Sequence, residues 1–287
     1  MTKTNLRILI VVLLGITIIT ISIFVYYYYF LVSSAPISLV VHKFQPKEIY
    51  PTSKGGREWF INIKDPARDG IFDLGSSITK NSDDSWEIEG KTGKYEDQVR
   101  MNVNTLKGQK KWKNMEITGY AKVISASSPK DALTWYARGG KHSDTVPCEG
   151  TSLKGSIRIN GEVFWQKEIW HTGGYTAERA EATATNTMLL GRWVGWKVAI
   201  YNINNNTAVK MESYLDDGNN NKWKKVTELI DDDGWYARSS DKEFYSAGCG
   251  RPKDYIITNS GPIVTFRSDN VKWDFTDLSV REIDSSS

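Results

Sequence analysis

The stretch "GRWVGWKVAIYNINNNTAVKMESYLDDGNNNKWKKV", Gly191 to Val226, decides the fold. Apolar, β-branched and aromatic residues fill "RWVGWKVAIYNI" and "AVKMESYL", whereas Asn, Asp and Gly fill the joints "NINNNT" and "DDGNNN". The first kind of residue fits a pleated, half-buried surface, and the second tolerates left-handed backbone and hydrogen-bonds its own turn. Together with "WKKVTELI" downstream, the stretch therefore reads as three strands joined by two hairpins.

The same grammar extends in both directions. In "DQVRMNVNT", Val99, Met101 and Val103 alternate with Gln98, Arg100 and Asn102; in "MEITGYAKV", Met115, Ile117 and Val123 alternate with Glu116, Thr118, Tyr120 and Lys122. A period of two puts one face on a core and the other in water. "LTWYARGG", "KGSIRI", "EVFWQKEI", "GPIVTF" and "VKWDFTDLSVREI" follow suit, and Asn160-Gly161 is a strong hairpin signature between two of them. No amphipathic helix of any length interrupts the series. About a dozen strands without a repeat of about 40 residues favour an all-β, two-sheet jelly-roll sandwich over a propeller.

The two ends of the chain read differently. From Ile8 to Val32 there is no charge among Ile, Val, Leu, Phe and Tyr. Such a run, at about 1.5 Å per helical residue, reaches about 37 Å and crosses a hydrocarbon layer of about 30 Å. It exceeds the apolar core of a signal peptide, and Pro36 follows the one cleavage-like site, "VSSA", so a retained transmembrane helix is expected. Lys3 and Arg7 place the N-terminus in the cytoplasm and everything after Val32 outside, in a single-pass cell-membrane arrangement. The expected organisation is a cytoplasmic N-terminus and anchor over 1–32, a Pro-punctuated stalk over 33–53, a jelly-roll domain over 54–284 and a tail over 285–287. Beyond the anchor, 35 of the 37 Lys and Arg face 34 Asp and Glu, so a nucleic-acid partner is not indicated. Cys148 and Cys249 are the chain's two cysteines. In an oxidising exterior they read as one disulfide, the alternative being two buried thiols.

The opening stretch, followed by "GPIVTFRSDNVKWDFTDLSVREI", resembles the later strands of concanavalin A-like lectin and glucanase jelly rolls, archaeal cell-surface members included. More distantly it resembles polysaccharide lyases. The resemblance covers most of Trp86 to Ile283 and implies a polysaccharide or surface glycan as partner while leaving the reaction open.

Candidate site residues follow from alternation. Arg100, Asn102, Tyr120, Tyr136, His142, Trp165 and Lys167 are assigned to a glycan-facing wall, with Glu168 on the opposite side of its strand from Lys167. Arginine presents a planar fork matched to a carboxylate, lysine adds a point charge, and aromatic faces stack on pyranose rings, a set suited to an acidic polysaccharide. If the protein cleaves a polyuronate by β-elimination, Arg138, His171 and Tyr175 are the set that would neutralise the carboxylate and move protons. The "QIH" strand of lyases on this fold and the "ExDxxE" of jelly-roll glucanases do not occur. A glycoside hydrolase drawing on Glu116, Glu149 and Glu168, and an envelope or adhesion domain without a sugar ligand, complete the alternatives. Trp135, Trp196 and Trp223 are expected in the packing between sheets. Asp217, Asn219 and Asn221 give the first half of a calcium loop, a candidate site for a structural Ca2+; no other cofactor is expected. "NNT" makes Asn205 a glycosylation acceptor.

Overall fold

In the computed structural model, the described residues are 20, 22, 43–90, 98–140, 142 and 145–285. The expected membrane span, residues 8–32, lies outside them save for Thr20 and Ser22; among the described residues no helix is long and apolar enough to cross a membrane. Contacts divide the chain into Met1–Val41 and His42–Ser287, and the second unit is an all-β sandwich.

Its first sheet contains β1 (Glu58–Phe60), β3 (Ile78–Lys80), β4 (Trp86–Ile88), β6 (Met115–Ala126), β11 (Trp193–Ile203), β12 (Ala208–Asp216), β13 (Lys224–Asp231) and β15 (Val271–Glu282). The order is β13-β12-β11-β6-β15-β4-β3, with β1 also on β15. The second sheet contains β2 (Phe72–Asp73), β5 (Gln98–Asn104), β7 (Ala132–Gly139), β8 (Ser152–Arg158), β9 (Glu162–Glu168), β10 (Arg179–Thr183) and β14 (Ile263–Asp269), ordered β10-β9-β8-β7-β14-β5-β2. All ladders between named strands are antiparallel, and the stretch 191–226 forms β11, β12 and the start of β13, joined as hairpins. In the first of these joints Asn204, Asn205 and Asn206 all take positive φ, a conformation Asn tolerates better than most residues.

Between the sheets lies one core. Trp135 from the second sheet donates its indole N–H to the Trp196 carbonyl at 3.0 Å, and both rings are fully buried. Two glycines make room in this core: a β-carbon at Gly119 would stand 3.2 Å from the Trp135 ring, and one at Gly155 would stand 2.6 Å from Val198 and 2.9 Å from the Trp165 ring. Trp223 departs from the expectation of inter-sheet packing. It lies on the outer face of the first sheet, 5.7 Å from the Tyr120 ring.

That outer face is polar by alternation yet largely buried, because residues 44–53 fold across it rather than standing free as a stalk. Phe44 stacks on Tyr120 at 4.3 Å and donates its backbone N–H to Asp277. Glu116 accepts the N–H groups of Ile49 and Tyr50 while pairing with Lys197 at 2.7 Å and Arg281 at 2.9 Å. Thr52 bridges Ile283, which closes the strap onto the end of β15.

A short helix, α1 (Asp241–Ser246), begins at Ser240, whose hydroxyl accepts the Glu243 N–H. Its Phe244 stacks on Trp170 at 4.1 Å, and these two with Ile169 and Ala237 make a small second core behind the end of β9.

Candidate functional site

The outer face of the second sheet carries the site. On β5, burial alternates residue by residue, with Val99, Met101 and Val103 inward and Arg100 and Asn102 outward. Two hollows open on this face. One, of about 540 Å³, is lined by Arg100, Asn102, Tyr136, His142 and Thr265 among others; the second, of about 450 Å³, includes Lys154, Phe164, Gln166, Tyr175 and Arg267. Arg267 is neutralised by Asp269 at 2.6 Å. Arg100 has Gln98 at 3.2 Å and, among the described residues, no carboxylate partner.

A tight reversal after β9 supplies the densest part of the wall. Ile169 donates its N–H to the Gly174 carbonyl at 2.8 Å, and Tyr175 bridges back onto Glu168. Gly174 is required there, since a β-carbon would fall 2.4 Å from the Trp170 carbonyl oxygen. The reversal stands Glu168, His171 and Tyr175 together. His171 Nδ1 lies 3.3 Å from Glu168 Oε1 and 3.1 Å from the Tyr175 hydroxyl, and His142 Nε2 lies 3.6 Å from the same carboxylate oxygen. Lys154 holds the other oxygen at 2.5 Å, and its ammonium sits 4.6 Å from the Tyr175 ring centre.

Burial and neighbouring charges shift Glu168, Tyr175 and His142 in different directions. Burial by itself would raise the Glu168 pKa, but the Lys154 charge and the surrounding hydrogen bonds win and hold it far below the carboxylate range. Burial and the Glu168 charge push the Tyr175 phenol up, so it keeps its proton. For His142 the Glu168 contact favours protonation, yet burial and the Arg100 charge outweigh it and the pKa falls. The neighbourhood thus offers a protonated phenol and a neutral imidazole beside the Arg100 guanidinium, which among the described residues has no carboxylate partner.

Of the residues expected at the wall from sequence, Arg100, Asn102, Tyr136, His142, His171 and Tyr175 fall on this face. Four do not. Trp165 and Lys167 point into the sandwich, and Lys167 is wholly buried against Asp231 at 2.8 Å. Parity along β9 is as expected but its faces are exchanged, and Glu168 is the groove residue. Val163 and Trp165, both apolar and on the Lys167 side, carried the signal for this assignment. Arg138 shares parity with Tyr136 but has φ of 62°, and a register shift between β7 and β14 accompanies it. That bulge turns its side chain away from the groove to donate to the carbonyls of Lys113 at 3.0 Å and Ile257 at 2.6 Å. Tyr120 belongs to the other sheet, where its hydroxyl donates to Asp216 under the N-terminal strap.

In the candidate calcium loop, two of the three side chains are engaged elsewhere. Asp217 pairs with Arg192, and Asn221 accepts the Lys47 N–H while donating to the Phe44 carbonyl, so the side chains tie the strap and the hairpin instead. Asn205 is exposed in its turn. Cys148 and Cys249 form a disulfide, closing the alternative of free thiols. Lys154 and Arg267 were not anticipated; their place in the groove depends on strand pairing that no local pattern displays.

No protein-family model matches the chain, and no curated protein matches it. Among solved structures, similarity extends to lectin I-B4 from Griffonia simplicifolia in its metal-free form, at 7% identity and TM-score 0.42 over 78% of this chain and 98% of that one. It extends also to the Ca2+/Man-bound exoplasmic/lumenal domain of VIP36, at 10% identity and TM-score 0.44 over 79% and 88%. The metal-free carbohydrate recognition domain of Emp46p gives 8% identity and TM-score 0.47 over 77% and 92%. At such identities the similarity says nothing of the groove's side chains.

Proposed function

We propose that the outer face of the second sheet binds an acidic polysaccharide, presented outside the cell by an anchor over residues 8–32. The observation that carries this reading is Arg100, an arginine in a polar hollow with no carboxylate partner among the described residues. A uronate supplies the planar anion that a guanidinium fork engages through two parallel hydrogen bonds. Asn102 and Thr265 offer amide and hydroxyl partners for sugar hydroxyls, and Lys154, paired with Glu168, lines the second hollow beside Tyr175. The disulfide suits the oxidising exterior that this arrangement requires.

The test is affinity electrophoresis of the full chain through gels cast with polyuronate or with a neutral glucan. Retardation by the polyuronate alone, weakened by added salt and abolished in Arg100→Ala, is the expected result. Equal mobility in both gels sinks the proposal.

One contact favours a second reading, β-elimination. The Tyr175 hydroxyl lies 3.1 Å from His171 Nδ1, within reach for proton transfer, and Arg100 takes the carboxylate role first given to Arg138. Elimination leaves a conjugated unsaturated uronate, so a rise in ultraviolet absorbance on incubation with a polyuronate separates cleavage from binding. Hydrolysis fits less well, because Glu168 is held ionised by Lys154 and has no proton to give.

A further inference from the structure

We propose that His142, Glu168 and His171 form a binding site for a divalent first-row transition ion of the zinc class. Their ligand atoms all lie within 4.8 Å of one another. A tetrahedral zinc with bonds of about 2.0–2.2 Å sets its ligands about 3.3–3.6 Å apart. The distances of 3.3 Å from His171 and 3.6 Å from His142 to Glu168 Oε1 sit at that edge length. Two imidazoles and one carboxylate are the donor set such ions take when a coordination position stays open.

Three features show the arrangement to be built rather than incidental. His142 Nε2 is buried and has no hydrogen-bond partner among the described residues, its distance to the carboxylate being too long for one. The carboxylate is oriented from behind, with Lys154 at 2.5 Å and Ser152 at 3.3 Å on Oε2, so that Oε1 faces both imidazoles. Gly150, with φ of 86°, fits directly against all three side chains. A β-carbon there would stand 2.9 Å from Glu168 Oε1, 3.2 Å from His171 and 3.4 Å from His142.

The loop carrying Gly150 is fixed on either side of it. His171 donates its N–H to the Glu149 carbonyl at 2.7 Å, and the disulfide begins two residues before Gly150, at Cys148. His142 lines the first hollow and Tyr175 the second, so an ion here stands between them with its open position toward the groove. Arg100 brings positive charge nearby, which lowers the affinity for a cation. The site does not depend on the identity of the groove's ligand.

The full chain, stripped of metal with chelator, is titrated with cobalt(II) and followed by the visible absorption of the four-coordinate ion, then displaced with zinc(II). One equivalent with intense visible bands, lost by about a hundredfold or more in His142→Ala and in His171→Ala, is expected, since even outer partners of a metal site are worth 10–100-fold. His42→Ala, which changes the chain's third histidine, is expected to bind as the parent does. Unfolding midpoints of the metal-free variants establish that each is folded. Cobalt bound without those bands, binding that survives in a folded His142→Ala, or binding that follows His42 overturns the assignment. Polyuronate retardation is scored separately, so failure of the glycan reading with metal binding intact, or the reverse, is recognised as such.

Discussion

Lys167→Met tests the face assignment on which the groove rests. In the parent, the Lys167 ammonium lies 2.8 and 3.1 Å from the two oxygens of Asp231, with both side chains wholly buried and the Trp235 ring 5.1 Å away. At an effective dielectric of about 20, the gross attraction of charges about 2.8 Å apart is about 6 kcal/mol, most of it offset by the desolvation of both ions. Methionine fills nearly the same volume, so the dominant consequence is an orphaned carboxylate. Breaking a buried pair from one side costs about 3–5 kcal/mol, or about 10 °C in Tm for a domain of about 240 residues. Burial already pushes the Asp231 pKa up, and without its ammonium the carboxyl is driven higher still, so the loss at pH 7 shrinks as the pH falls and the group takes a proton. Urea unfolding at pH 7 and pH 5 measures both effects. The double variant Lys167→Met with Asp231→Leu removes the orphan and is expected to recover most of the loss. Retardation by polyuronate should stay at the parent level in the single variant, because the side chain faces the interior. A destabilisation below about 1 kcal/mol, or a parallel loss of glycan retention in the folded variant, refutes the reasoning.

Replacing Cys148 and Cys249 with serine releases a cross-link spanning 101 residues, which the chain-entropy relation values at about 4.7 kcal/mol; denaturant unfolding of the oxidised parent and the double variant measures it. Gly155→Val drives methyl groups into Val198 and the Trp165 ring, and a loss of about 1–3 kcal/mol or more is expected by the same measurement. At the strap, burial would raise the Glu212 pKa, but the hydroxyls of Tyr50 at 2.5 Å and Tyr214 at 3.0 Å, with Lys210, prevail and lower it. A carboxyl depressed in the folded state contributes stability above its unfolded pKa of about 4.3 and loses it as the pH falls through the folded value. Tyr50→Phe should therefore flatten the acid limb of the stability profile below about pH 4, as read by tryptophan fluorescence in urea, and an unchanged limb would remove Tyr50 from the explanation.

The sequence displays some of this plainly and some not at all. Strand β5 is legible because solvent meets one of its faces and the core the other, so Val99, Met101 and Val103 stand out against Arg100 and Asn102. Strand β6 hides its second face: Glu116 and Tyr120 look solvent-facing, yet a segment more than sixty residues away covers them. On β9 the charged and histidyl residues suggested a groove face, but the free energy of burying Val163 and Trp165 fixes which side is inward, and Lys167 follows with Asp231 as its compensation. Arg138 misleads for a different reason, since a single residue at positive φ breaks parity without any local mark in "LTWYARGG". The His142, Glu168 and His171 cluster depends on a hairpin reversal and a disulfide-held loop meeting at one point, a coincidence that only three-dimensional closure brings about.

The strap gives the domain a back. Residues 44–53 lie on the outer face of the first sheet, and the groove lies on the outer face of the second, with the full thickness of the sandwich between them. Phe44, at the start of the strap, therefore lies on the face opposite the two hollows. A polymer bound as proposed would therefore leave the strap untouched, and Tyr50 and Glu212 could be altered without changing the surface it meets.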